Sequence, residues 1–184
     1  DDIPNEVVIA REQRSGCEHA VRAAGARLVE VGMNEPVAGS GVRRTEAWEY
    51  EAAFGGKTAG VLYVYGPDSS PSLPEVVAVA RKHKLPVLVD AAGELPPREH
   101  LVSIPAEGAD MVAFSGGKAI RGPQATGILC GRRDLISSAA RSRSSCFRLE
   151  MTTLAPASEK TDAIPLPIPR EPPVTIATFS LRSK

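Results

Sequence analysis

Six short runs rich in valine, isoleucine and leucine recur along the first three-quarters of the chain, and they alternate with stretches of helical periodicity. The runs are EVVIA from Glu6, RLVEVG from Arg27, AGVLYVYG from Ala59, LPVLVD from Leu85, ADMVAFSG from Ala109 and TGILCG from Thr126. Apolar runs of this length, bounded by turn residues, are read as buried strands. Between them lie CEHAVRAAGA from Cys17, TEAWEYEAAF from Thr45, LPEVVAVARKHK from Leu73, a short helix from Arg98, and RRDLISSAARSR from Arg132. This alternation predicts an open α/β architecture, a mostly parallel sheet with helices on both faces.

Two helix starts set the register. Ser72, with Pro74 two residues on and Glu75 three on, is a capping-box pattern. Thr45 places Glu46 and Glu49 near a positive helix end. No repeat of fixed period is visible.

At 184 residues the chain is long enough for one domain with a hydrophobic core. Lys plus Arg and Asp plus Glu are balanced at 22 each, so no global field steers it to nucleic acid or an anionic membrane. Any anion site must therefore be local. The three cysteines, Cys17, Cys130 and Cys146, form no C-x-x-C pair and no disulfide framework, and a structural metal is not expected. No run reaches a membrane span and the first residues lack a signal-peptide pattern, so a soluble, cytoplasmic protein is expected. Residues 1–140 are read as one cofactor-binding large-domain segment. Residues 141–184, with six prolines after Leu154, are read as a proline-rich tail without a packed core. The one alternative there is a late strand around VTIATF.

In open α/β sheets ligands sit beyond the carboxyl ends of the strands. LPVLV is followed there by Asp90, and ADMVAF by Ser115, Gly116, Gly117 and Lys118. A lysine near the sheet is a carbonyl nucleophile once its amine loses a proton. The two glycines let the backbone take unusual dihedrals and let a flat ligand come close. Ser115 adds a hydroxyl and Arg121 a planar cation for phosphate. Pyridoxal 5'-phosphate needs this set: a lysine for the Schiff base, donors for the phosphate, and an acid at the ring nitrogen, which Asp90 supplies.

PVLVDAAGELPP followed by GADMVAFSGGKAIRGPQATGILCGRRDLI resembles the selenocysteine synthase-like branch of fold-type I pyridoxal-phosphate enzymes. That branch includes bacterial L-seryl-tRNA selenium transferases and D-glucosaminate-6-phosphate ammonia-lyase-like proteins. NEVVIAREQRSGCEHAVRAAGARLVEVG is similar to the matching region of the lyase-like members, and the resemblance covers roughly residues 5 to 138. It implies Lys118 as the catalytic Schiff-base lysine, Asp90 as the ring-nitrogen partner and Ser115 as a phosphate-side donor. Arg121 and Gln124 fall near the phosphate or an adjoining subunit. Either His19 or Gln13 lines the cofactor face. Relatives carry an N-terminal portion with a Gly/Ala-rich turn and a C-terminal small domain. Both are missing from this sequence, so a fragment or a truncated product is expected.

Each residue has a plainer reading. Lys118 is otherwise a solvated lysine in a turn, Asp90 a strand-end cap, and His19 a residue facing solvent or packing on its helix. SGGKAIRG lacks the phosphate-loop spacing. His83 and His100 are read as surface residues, RKHK from Arg81 as a complement to a helix dipole, Trp48 as core and Cys130 as an inert buried thiol. The function expected is elimination from an amino acid or amino sugar acid, ammonia-lyase-like, on a small-molecule substrate by a homo-oligomer. The alternatives are selenium transfer to seryl-tRNA, against which the neutral composition argues, a cofactor-free Schiff-base aldolase, and an inactive fold remnant acting as an interaction module.

Overall fold

The computed structural model describes residues 3–33, 44–124, 126–141, 147–153 and 175–181. The six expected strands are all present. They are β1 (Glu6–Ala10), β2 (Arg27–Val31), β3 (Thr58–Val64), β4 (Val87–Asp90), β5 (Met111–Ser115) and β6 (Thr126–Gly131). Helices α1 (His19–Ala23), α2 (Ala47–Ala53), α3 (Leu73–Lys82), α4 (His100–Ala106) and α5 (Arg133–Arg141) occupy the expected intervals. Two 3-10 turns, Arg11–Gln13 and Gly16–Glu18, link β1 to α1.

The sheet order is β2-β1-β3-β4-β5-β6-β8-β7. The first five strands are parallel and β6 returns antiparallel to β5, with Ser115 opposite Gly127. A ten-residue loop holding Lys118 makes that return. Strands β7 (Phe147–Thr153) and β8 (Thr175–Leu181) lie in the segment read as a tail. They extend the sheet antiparallel through β8 on β6. The β-branched and aromatic residues of TIATF favour that strand over the composition of the segment as a whole. Cys146, and residues 154–174 between the two strands, lie outside the described residues.

The two faces of the sheet are covered unequally. Val61, Tyr63, Val87, Val89, Val112 and Phe114 point to one face and are buried in the main core with Tyr50 of α2, Leu73, Val76 and Ala80 of α3, and Ile104 of α4. Each fully buried apolar side chain contributes about 1.5–3 kcal/mol. On the other face Leu88, Asp90, Met111, Ala113 and Ser115 are only half-buried. The chain crosses from β1 to its outer neighbour β2 through α1, then back past β1 to β3 through α2. Right-handed crossovers in opposite directions put α1 and α2 on opposite faces.

Local signals explain the helix ends. The Glu75 carboxylate accepts hydrogen bonds from Ser72 N–H (2.8 Å) and Ser72 Oγ–H (2.6 Å), as its capping-box spacing predicts. Helix α2 instead starts one residue later than expected. Its cap is Glu46, whose N–H donates to Glu49, while the Thr45 N–H is taken by Glu12. Helix α3 ends with Lys84 at φ 57°, its N–H on Arg81 O and the Leu85 N–H on Ala80 O. That is a Schellman ending with lysine in the position usually held by glycine. Trp48 is not core: it is 56% exposed on α2, with its indole N–H on Glu46.

Candidate active site

The order β2-β1-β3 makes the gap between β1 and β3 the point where the crossovers diverge, the place where open α/β sheets form a ligand crevice. A cavity of about 220 Å³ lies there, lined among others by Gln13, Cys17, Leu62, Leu88, Asp90 and Ala113. Leu88, Asp90 and Ala113 of the half-buried face line it together with the buried Leu62, and Ala20 and Val21 of α1 close it from the side.

Asp90 ends β4 with Val64 and Ala113 as its register partners on either side. Its Oδ1 accepts from Ala92 N–H at 3.0 Å, which is its only side-chain hydrogen bond among the described residues. Ser115 stands two residues beyond Ala113 and therefore on the same face. Lys118 follows in the β5–β6 loop and is exposed, as is Arg121 at φ 58°. Among the described residues neither side chain makes a hydrogen bond or ion pair. The structure thus brings Asp90 into the cavity, with Ser115 on its face and Lys118 at the same edge of the sheet, while Lys118 and Arg121 do not line the cavity.

The glycines of that loop serve the loop itself. Gly116 N–H donates to Thr126 O, and Gly122 N–H to Gly116 O, both at 2.8 Å. A Cβ on Gly116 would lie 2.3 Å from Thr126 Oγ1, and one on Gly117 would lie 2.6 Å from Gln124 Oε1. Gln124 is exposed and braces Gly117. The loop is zipped by close approach of its two arms, which only glycine allows.

Of the two candidates for the cofactor face, Gln13 lines the cavity and is buried, whereas His19 opens α1 and is exposed. Ser15 and Glu18 form a capping box around the second 3-10 turn. Arg14 bonds the nearly buried Glu18 at 2.7 and 2.8 Å and holds its carboxyl below the usual range. Arg14 and Arg11 also pair with Glu30. Arg11 and Arg14 are therefore paired with carboxylates, unlike Lys118 and Arg121. The S-x-x-E spacing at Ser15–Glu18 marks this cap in the sequence as it does at Ser72–Glu75.

The remaining residues fall as follows. Cys130 is fully buried and burial pushes its thiol up to about 12. His83 is exposed and pairs with Glu51. His100 is not a bare surface residue: it is half-buried and its Nδ1 lies 2.6 Å from Glu94 O, in the loop that follows Asp90. Among the described residues no group of acids, histidines and cysteines could hold a metal, and no helix is long and apolar enough to cross a membrane.

The profile of the L-seryl-tRNA selenium transferase family (SelA) matches residues 17–161. The chain belongs to that family. It falls in the selenocysteine synthase and glucosaminate lyase-like branch of fold-type I pyridoxal-phosphate enzymes. It is 35% identical over 142 residues to D-glucosaminate-6-phosphate ammonia lyase of Salmonella typhimurium, covering 73% of this chain and 35% of that protein. It is 34% identical over 134 residues to L-seryl-tRNA(Sec) selenium transferase of Desulfovibrio desulfuricans, covering 64% of this chain and 26% of the relative. A solved structure of D-glucosaminate-6-phosphate ammonia-lyase superposes with a TM-score of 0.60 at 34% identity, covering 73% of this chain and 35% of that one. This family member thus spans about a third or less of the length of these relatives.

The donor set fits a planar, phosphorylated ring. Leu62, Leu88 and Ala113 offer apolar surface beneath it, and one Asp90 carboxylate oxygen is uncommitted. Gly116 N–H is already spent on Thr126 O, which leaves the Ser115 hydroxyl at the end of β5 and, in the loop, the Gly117 N–H and the Arg121 side chain as donors of a kind that fits a phosphate.

Proposed function

We propose that the chain is the cofactor-binding portion of a pyridoxal-phosphate-dependent enzyme that acts on an amino acid or amino sugar acid by elimination, as an ammonia lyase does. The observation that carries this reading is Asp90 lining the cavity at the end of β4, with Ser115 on the same face and Lys118 in the following loop. When bound, the cofactor supplies an electron-withdrawing ring that stabilises negative charge on the substrate carbon bearing the amino group. Asp90 would hold a proton at the ring nitrogen. Leu62, Leu88 and Ala113 would exclude water from the ring. Ser115, Gly117 N–H and Arg121 would hold the phosphate, with Gln124 packed against Gly117. Lys118 Nζ would hold the cofactor at its aldehyde carbon and, once the substrate amine takes that place and frees it, would carry the proton removed from the substrate carbon. His19, exposed between the cavity-lining Glu18 and Ala20, has its role at the rim or against a second subunit of a homo-oligomer.

Selenium transfer to seryl-tRNA is the second reading, supported by the family description and by the Desulfovibrio relative. The zero net charge and the carboxylate-paired arginines beside the cleft speak against a tRNA surface there. The test is ammonia release, measured with the chain, pyridoxal phosphate and a panel of amino acids and phosphorylated amino sugar acids. Release that is lost in Asp90→Asn supports elimination. Cofactor binding without release from any member, together with salt-sensitive tRNA binding, would favour the transferase.

A further inference from the structure

We infer that Gln13 is a positioning residue for Asp90, acting through the carboxyl end of β3. The side chain is 8% exposed and bonded at both ends. Its Oε1 accepts from Val64 N–H at 3.0 Å, and its Nε2 donates to Ser70 O at 3.5 Å. Val8 stands opposite Val61 and β1 ends two residues later at Ala10, so Val64 lies beyond the last residue of β1. Gln13 supplies the missing partner. A buried N–H left without an acceptor is costly, and here a side-chain amide takes the place of the next strand residue.

The bond is transmitted to the cleft through the backbone. Val64 is the register partner of Asp90, and the next residue, Tyr65, donates its N–H to Asp90 O at 2.8 Å. Asp90 in turn is fixed by Ala92 N–H on Oδ1. The sequence of contacts therefore runs from Ser70 through Gln13, Val64 and Tyr65 to the Asp90 main-chain carbonyl, on the residue whose carboxylate Ala92 N–H fixes. Gln13 thus ties the first 3-10 turn to Val64 and Ser70, and Gln13 and Val64 both line the cavity. A position that could be read as a cofactor contact is occupied by a residue whose polar atoms are both already committed to the protein.

Only the cofactor part of the test rests on the function proposed above; the amide part stands alone. Gln13→Met keeps the length of the side chain and removes both hydrogen bonds. In the cofactor-free chain, amide exchange is expected to rise at least about tenfold at Val64, Tyr65 and Ala92, while Val61, whose N–H is held by Pro86 O, is unchanged. Faster exchange at Val64 alone, with Tyr65 and Ala92 still protected, would reduce Gln13 to a local structural role and overturn the inference. Gln13→Glu keeps the acceptor for Val64 and loses the donor to Ser70. It is expected to restore protection at Val64, Tyr65 and Ala92, and it supplies the comparison should the methionine variant fail to fold. Unprotected amides in Gln13→Glu would likewise contradict the relay. With pyridoxal phosphate added, Gln13→Met is expected to weaken binding about tenfold, and this loss should shrink in an Asp90→Asn background. A wild-type chain that binds no cofactor would refute the proposed function and leave the exchange pattern to decide the role of Gln13.

Discussion

Replacing Gly116 by alanine distinguishes a loop glycine from a ligand glycine. The new Cβ would stand 2.3 Å from Thr126 Oγ1 and 3.0 Å from Thr126 O, where ordinary contact begins at 3.4 Å. The hydroxyl cannot swing away freely, because it donates to Pro123 O at 2.6 Å. The carbonyl cannot retreat either without breaking its bond to Gly116 N–H. Overpacking of this kind costs about 1–3 kcal/mol and a lost hydrogen bond about 1 kcal/mol more, so a destabilisation of about 2–4 kcal/mol follows. For a domain of this size that lowers Tm by roughly 4–16 °C. The assay is thermal and urea unfolding of Gly116→Ala, Thr126→Ala and the double variant. The double variant should recover part of the loss, since the hydroxyl clash is gone and the carbonyl clash remains. A Gly116→Ala protein within about 0.5 kcal/mol of wild type, with only cofactor binding impaired, would refute the steric account and return the glycine to the ligand.

Lys84→Gly should raise stability by about 0.5–1 kcal/mol in urea unfolding, because a left-handed lysine costs more than the added freedom of glycine. Unchanged or lower stability would contradict the ending assigned to α3. Glu51 on α2 is held below the usual glutamate range by hydrogen bonds from His83 and Lys82 at the end of α3. Its pairing therefore stabilises the fold above an unfolded-state pKa of about 4.3 and is lost as pH falls through the lower folded value. Glu51→Gln should show a smaller drop in Tm between pH 6 and pH 3 than wild type, and an equal drop would count against this staple.

Much of the fold was legible because strand and helix periods differ and each buried run was long enough to show its own. The α/β class, the six strands and the five helices follow from that. Strand β8 lies where VTIATF offers a strand as the alternative to a tail, whereas β7 was obscured because the composition of the segment as a whole averages over so short a run. The site was legible where a residue type is demanded by chemistry at a strand end, as with Asp90 and Lys118. It was not legible where contacts join distant segments. Nothing in REQRSG says that Gln13 meets Val64, 51 residues away, or that Gly116 and Gly117 face Thr126 and Gln124 across a loop. His100 was misread for the same reason, since its partner Glu94 O becomes near only when the proline-rich turn after Asp90 folds back.

The proposed function requires Lys118 to carry the cofactor beside Asp90. The chain is incubated with pyridoxal phosphate, reduced with borohydride and digested, and the modified peptide is identified by mass. A single adduct on Lys118, with visible absorbance that disappears in Lys118→Ala, is the predicted result. Adducts scattered over exposed lysines such as Lys57 and Lys84, unaffected by Lys118→Ala, would contradict it.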